Sequence, residues 1–311
     1  MKIGIARETA PGETRVALLP EEVKKLTAAK HTVFVQKNAG AGIFIKDTEY
    51  KKAGANIADD PKDIFDKDIV VKLKAPREEE FDLLKTPKKN ILVSMFHPQQ
   101  NPWNIVLERA SNTIVIALEM LANEHGERLI NCNRMTGQQG MLLALQQSIK
   151  TPQECGILML GYGEVATGAM QAAFGLGADI KIARRNELKD IGYFIKDRDL
   201  LVNALKWPEE KRRKKEYLVT RKMLALLAPG AIVLDLSVDH PGPIETCRAT
   251  SVKDPFYFEE GVKHICIYGY PALSPLSSAR RYSRQILPIV LEIANKGLAK
   301  ASKEIKKAVV R

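Results

Sequence analysis

The stretch Gly161-Tyr162-Gly163-Glu164-Val165-Ala166 constrains this chain more than any other, because of what stands on either side of it. The apolar run Gly156 to Leu160 before it reads as a buried strand, and Glu164 to Phe174 after it reads as a helix. In a strand, turn and helix of this kind the first glycine permits the tight turn. The second lets a ligand approach the main chain, and the third position needs only a side chain as small as Ala166. The free N–H groups and positive dipole at the helix start then favour phosphate. A dinucleotide site is therefore expected at Gly161, Gly163, Glu164, Val165 and Ala166.

The following strand, Ile180 to Ala183, bears on which dinucleotide. An NAD site usually carries an acid about twenty residues past the first glycine, where it accepts from a ribose hydroxyl. This chain reads Ala183-Arg184-Arg185-Asn186 instead. Guanidinium groups cannot accept a hydroxyl proton, but they clamp a 2'-phosphate. NADPH/NADP is expected over NADH, the alternative being that Arg184 and Arg185 merely stand exposed at a strand end.

The rest of the chain keeps the same rhythm. Strands are predicted at Lys2 to Ala6, Thr32 to Gln36, Ile69 to Leu73, Ile91 to Met95 and Thr113 to Ala117, with helices at Pro20 to Ala29, Asp47 to Ala53 and Pro102 to Ala110. A helix over Gly137 to Ile149, stopped by Pro152, leads to the second unit, whose further strands are Leu200 to Val202, Ala231 to Leu236 and His264 to Tyr268. A helix from Ala279 to Lys296 and a charged end close the sequence. With 311 residues, 45% of them hydrophobic, two α/β domains with parallel sheets are expected.

Composition narrows the function. No run approaches eighteen apolar residues and no signal peptide opens the chain, so a cytoplasmic protein without a membrane partner is expected. Cys132, Cys155, Cys247 and Cys266 are scattered and read as buried thiols, and the five histidines lack ligand spacing, so no metal is expected. The net charge of +11 raises the question of nucleic acid, yet the one dense cluster, Lys211 to Lys215, is flanked by acids and has no interleaved aromatics. It reads as a solvated helix or loop, and nucleic acid is not an expected partner.

Several segments resemble the alanine dehydrogenase and transhydrogenase alpha-subunit family: Arg7-Glu8, Glu13 to Pro20, Val71 to Pro76, Phe96-His97, the glycine turn, Val233 to Asp239, Pro243 to Thr246, Asp254-Pro255 and Leu287-Pro288. Within the family, the N5-(carboxyethyl)ornithine synthases resemble the chain in length, in Pro11-Gly12-Glu13, in His97-Pro98 and in the short connection from Gln138 to Pro152. The resemblance implies two Rossmann-like doubly wound domains with the active site in the cleft between them, residues 1–132 plus 275–311 forming the substrate domain and 133–274 the dinucleotide domain. It also implies a homo-oligomer.

The resemblance gives four residues roles. Arg15 offers a planar fork for the carboxylate of a 2-oxo acid. Lys74 would hold the substrate and polarise its carbonyl, although Lys72, two residues away on the same strand, competes for the place. His97 suits proton transfer, and Asp239, after an apolar strand, would sit beside the nicotinamide. Arg15 as a loop residue, His97 as a loop histidine and Asp239 as a cap are the alternatives. Glu119 reads as a supporting carboxylate. Gly269 stands where alanine dehydrogenases carry Asn, and the cluster Tyr270, Arg280, Arg281 and Tyr282 either serves a larger substrate or packs. The leading expectation is NADPH-dependent condensation of pyruvate with the amine of ornithine or lysine. Reductive amination of pyruvate by ammonia and a non-catalytic NADP-binding protein are the rivals.

Overall fold

The computed structural model describes residues 1–96 and 112–310, and the chain divides into two compact units, Met1–Asn131 with Pro275–Arg311 and Cys132–Ser274. The expected helix at Pro102 to Ala110 lies outside the described residues.

Unit 1 is built on strands β1 (Lys2–Ile5), β2 (Thr32–Gln36), β3 (Asn56–Ala58), β4 (Ile69–Lys74), β5 (Asn90–Met95) and β6 (Thr113–Ala117). Each pairing between these strands is parallel, in the order β3-β2-β1-β4-β5-β6. The order reverses direction between β1 and β4, the place where open α/β sheets bind ligands at their carboxyl ends. Helices α1 (Pro20–Ala28), α2 (Asp47–Lys52) and α3 (Pro61–Phe65) connect the first four strands. Proline opens α1 and α3, where its missing N–H costs nothing, and Asp60 caps α3 by accepting from the Lys62 amide at 2.8 Å. Neither β3 nor α3 is among the elements expected above; both are too short for a periodic pattern to register.

Unit 2 begins with α4 (Asn133–Gln146), which starts before and ends ahead of the predicted Gly137 to Ile149. Gly137 is a contact point inside this helix: a Cβ there would stand 1.8 Å from the Val165 carbonyl oxygen. Next come β7 (Ile157–Leu160), α5 (Glu164–Gly175), β8 (Ile180–Ala183), α6 (Ile191–Ile195), β9 (Leu200–Asn203), α7 (Glu209–Arg213), β10 (Ile232–Asp235), β11 (Phe256–Glu259) and β12 (Val262–Ile265). The sheet order is β11-β12-β10-β9-β7-β8, and only β11 runs antiparallel to its neighbour. The β11–β12 hairpin turns at Glu260 and Gly261, both at positive φ, as a two-residue hairpin loop requires. Alternate residues of β7 enter opposite cores, Ile157 and Met159 one and Leu158 and Leu160 the other, so both faces of the sheet are covered.

The chain returns to unit 1 in α8 (Pro275–Lys296) and ends with α9 (Lys303–Lys307). The α8 residue Ser283 donates to Glu22 at 2.6 Å and accepts from the Leu19 amide at 2.8 Å, which fixes the start of α1. Both units are Rossmann-like doubly wound α/β domains. Among the described residues no helix is long and apolar enough to cross a membrane.

Candidate active site

At the carboxyl edge of the unit 1 sheet, charge is gathered in an apolar setting. Arg15 is 3% exposed, not a surface loop residue, and its Nε and Nη2 donate to the two Glu13 carboxylate oxygens at 2.6 and 2.5 Å. Its guanidinium lies 5.6 Å from the centre of the Tyr282 ring. Burial pushes the Glu13 carboxyl up, but the Arg15 hydrogen bonds and charge outweigh it and hold the group below the usual range.

Lys74, half-buried at the end of β4, has its ammonium pushed down, first by burial and then by the Arg15 charge, while Glu13, Glu8 and Glu119 pull the other way. Lys72 has a different environment. It is fully buried, its Nζ donating to Glu80 at 2.7 and 3.0 Å, with Glu8 at 3.9 Å. Glu80 also accepts from Thr9 and from the Arg77 amide, so Lys72 is a fastening inside the fold. The β4–β5 register shifts between Val71 and Lys74, which gives the two lysines their separate surroundings.

Two carboxylates brace this edge. Glu8 accepts from the amides of Leu73 (2.7 Å) and Lys74 (3.2 Å), and burial raises its carboxyl above the ordinary value. Glu119 accepts from the Phe96 amide with both oxygens, at 3.1 and 3.0 Å, and so fixes the main chain immediately before His97. His97 itself lies outside the described residues.

The unit 2 edge offers main chain where unit 1 offers side chains. Gly161 leaves β7 at φ 98°, in the left-handed region, and a Cβ there would stand 2.9 Å from the Ala204 carbonyl oxygen. Gly163 faces open space, with no atom within 4 Å of a Cβ built there. Glu164 and Val165 open α5, whose first N–H groups have no partner within the helix, and Ala166 is fully buried beneath them. A Cβ on Gly168 would meet the Arg134 carbonyl oxygen at 1.9 Å, so α4 and α5 touch backbone to backbone. This open cradle of amides fits the diphosphate of a dinucleotide. Arg184 and Arg185 follow β8 with both side chains exposed.

Asp239 follows β10 and is more constrained than a free cap would be. Its Oδ2 accepts from the Trp207 amide at 3.2 Å, and its Oδ1 lies 3.6 Å from Nη1 of Arg212. The turn that presents it is tied by Asp235, whose Oδ1 accepts from the Asn203 side chain (2.8 Å) and from the amides of Ser237 and Val238 (both 3.1 Å). Val238 sits at φ 51°, a costly conformation for a β-branched residue and a frequent one near functional sites. Asp235 was not singled out in the sequence; its signal is an acid at the end of an all-apolar strand.

The fold also brings donor atoms of Asp235, Cys247 and Cys266 within 4.8 Å of one another, all buried, a trio that sequence spacing did not disclose. Burial pushes the Cys247 thiol well up, which favours a protonated sulfur over a metal-binding thiolate. All four cysteines are buried thiols outside any disulfide. His264 is a core histidine: Thr246 and Val262 hold its two ring nitrogens at 2.8 and 3.0 Å, and burial lowers its basicity. Tyr270 packs as well, its hydroxyl 2.8 Å from the Asp235 and Ile265 carbonyls. Gly269, just before it, has φ 104°.

Two Rossmann-like domains with open helix amides at one sheet edge are an architecture found in nicotinamide-nucleotide dehydrogenases. More closely, the chain belongs to the alanine dehydrogenase/PNT family: the model of that family's N-terminal domain matches residues 4–137 and the model of its C-terminal domain residues 183–310. The chain is 30% identical to alanine dehydrogenase 2 of Staphylococcus aureus strain Mu50 over 339 residues, covering 97% of this chain and 90% of that protein. An L-alanine dehydrogenase structure superposes with a TM-score of 0.85 at 26% identity, covering 99% of this chain and 94% of that one. A transhydrogenase from Sinorhizobium meliloti has the same fold, with a TM-score of 0.81 at 22% identity and coverage of 99% and 96%. The protein is an NAD(P)-dependent amino-acid dehydrogenase acting on CH–NH bonds.

Proposed function

We propose that this dehydrogenase aminates a 2-oxo acid such as pyruvate reductively, with ammonia as the amine and NADPH as the preferred cofactor. The buried Arg15–Glu13 pair beside Lys74 carries the reading. Arg15 meets the substrate carboxylate with the charge of its guanidinium. Lys74, its proton already loosened by burial and by Arg15, polarises the carbonyl oxygen and can release a proton as water leaves. His97, next in the chain after the Glu119-braced Phe96, exchanges protons during carbinolamine formation. Asp239 orients the incoming amine. Gly161, Gly163, Glu164, Val165 and Ala166 hold the cofactor's diphosphate, and Arg184 and Arg185 its 2'-phosphate. The bound cofactor supplies the hydride that reduces the imine.

Ammonia is preferred over an amino-acid amine because the curated relative above is named an alanine dehydrogenase. One observation favours a larger amine: Gly269 leaves its turn without a side chain. The readings separate when the protein is incubated with pyruvate, NADPH or NADH, and one of ammonia, ornithine or lysine. Cofactor oxidation with ammonia is expected, faster with NADPH. Oxidation confined to ornithine or lysine would replace ammonia in this reading, and no oxidation with any amine would end it.

A further inference from the structure

The basic run Lys211 to Lys215 has the composition of a solvated face, and most of it is one. In α7 and at its C-terminal cap the exposed side chains of Arg213 and Lys214 pair one turn back with Glu209 and Glu210, and Lys211 lies over the Trp207 ring at 4.8 Å. Arg212 turns the other way. Its side chain is 18% exposed and reaches Asp239, itself 25% exposed.

The segment carrying Arg212 is closed on itself. Trp207 Nε1 donates to the Glu216 carbonyl at 3.0 Å, joining the two ends of the segment, and the Arg212 amide donates to the Pro208 carbonyl at 3.0 Å. The Trp207 amide then donates to the Asp239 oxygen that Arg212 does not face. Asp239 is thus held at both oxygens by one short segment, by an amide at one and a guanidinium at the other. A carboxylate with a single contact can swing about χ1 and χ2, whereas an amide hydrogen bond on one oxygen and an ion pair at 3.6 Å on the other restrict that rotation.

We infer that Arg212 is a positioning residue for the reaction: it fixes the Asp239 carboxylate in the orientation that turnover requires. The inference rests on the reading that Asp239 belongs to the active site. It assigns the basic run a role unrelated to nucleic acid, with a single arginine turned towards Asp239 and its neighbours Arg213 and Lys214 in exposed ion pairs.

The test compares wild type with Arg212→Ala, Arg212→Lys and Arg213→Ala, all as the full chain. Turnover is measured with pyruvate, NADPH and ammonia, or with whichever amine the wild type accepts, and amide hydrogen exchange at Trp207 is followed on the same proteins. Arg212→Ala is expected to lower kcat by roughly 10- to 100-fold with less than about a threefold change in the KM for pyruvate, because a misplaced group costs rate more than binding. Arg212→Lys should recover most of the loss, Arg213→Ala should match wild type, and the Trp207 amide should exchange faster in Arg212→Ala alone. Unchanged kcat in Arg212→Ala, a loss confined to KM, no recovery by lysine, or an equal loss in Arg213→Ala would each overturn the inference. If wild type turns over no amine at all, the functional reading fails by itself. Trp207 exchange then decides the arginine's part: equal protection in Arg212→Ala and wild type overturns it, and faster exchange sustains it.

Discussion

The two sheets end in opposite ways. Unit 1 places buried ionisable side chains at its carboxyl edge, with Arg15 paired to Glu13 and Lys74 beside them. Unit 2 places glycines and helix amides at the corresponding edge, and its arginines at 184 and 185 stand in solvent. The same architecture therefore yields two kinds of site. Buried side chains with displaced proton affinities can move protons, whereas main-chain amides bind an anion with no dependence on pH and no reorganisation.

The comparison breaks first at Arg15. If the unit 1 edge depends on compensated buried charge, Arg15→Met removes the hydrogen-bonded partner of the buried Glu13 carboxylate and should cost about 3–5 kcal/mol, the usual penalty for breaking a buried pair. Urea denaturation measures it. A loss below about 1 kcal/mol would mean that the pair is solvated, and the contrast between the two edges would disappear. At the unit 2 edge the largest expected effect is on selectivity. Replacing both Arg184 and Arg185 with Ala should raise the KM for NADPH roughly 10- to 100-fold and leave that for NADH nearly unchanged, since charge-assisted contacts from these two exposed side chains to a phosphate contribute about 1.5–3 kcal/mol together. Equal effects on both cofactors would remove the 2'-phosphate reading.

How much of this was legible in the sequence follows the range of the interactions. The glycine turn could be read because its signal is local: β7, Gly161, Gly163 and α5 are contiguous, and each position has one mechanical demand. The choice between Lys72 and Lys74 could not, since strand alternation puts residues two apart on one face. What separates them is a register shift and a carboxylate, Glu80, from a different segment. β11 escaped because an edge strand of alternating exposure, Phe256–Glu259, looks like loop. Arg212 escaped for a similar reason. Nothing within five consecutive basic residues says which one turns inward, and that is decided by Asp239, distant in sequence.

A smaller effect tests the pH side of the contrast. Glu13 is held below its ordinary value of 4.5, so its contribution to stability is present in full above about that pH and is lost as pH falls through the lower folded value. Glu8 has the opposite sign: burial raises its carboxyl, so it weighs against the fold as pH rises above the ordinary value of 4.5 towards the higher folded value. Glu13→Gln isolates the first term. The variant should be less stable than wild type by about 1.5–3 kcal/mol near neutral pH, as expected for hydrogen bonds to a charged group, and the gap should close in strong acid. A gap independent of pH would show that the Glu13 charge does not matter.

The smallest effect belongs to the exposed pairs of α7. Arg213–Glu209 and Lys214–Glu210 have the same one-turn spacing and the same charges in reach as a helix pair in a free peptide, with both partners of each pair more than half exposed. Arg213→Ala should change stability by only about 0.3–0.5 kcal/mol, and less at high salt, because water already solvates both ions and ordering two long side chains offsets much of the attraction. Arg15–Glu13 joins the same two side-chain types with its side chains only 2% and 4% exposed. Measuring both variants in one denaturation series holds the chemistry constant and varies burial. A ratio near one would mean that burial contributes nothing to the unit 1 edge, whereas a several-fold difference makes desolvation the physical distinction between the two edges.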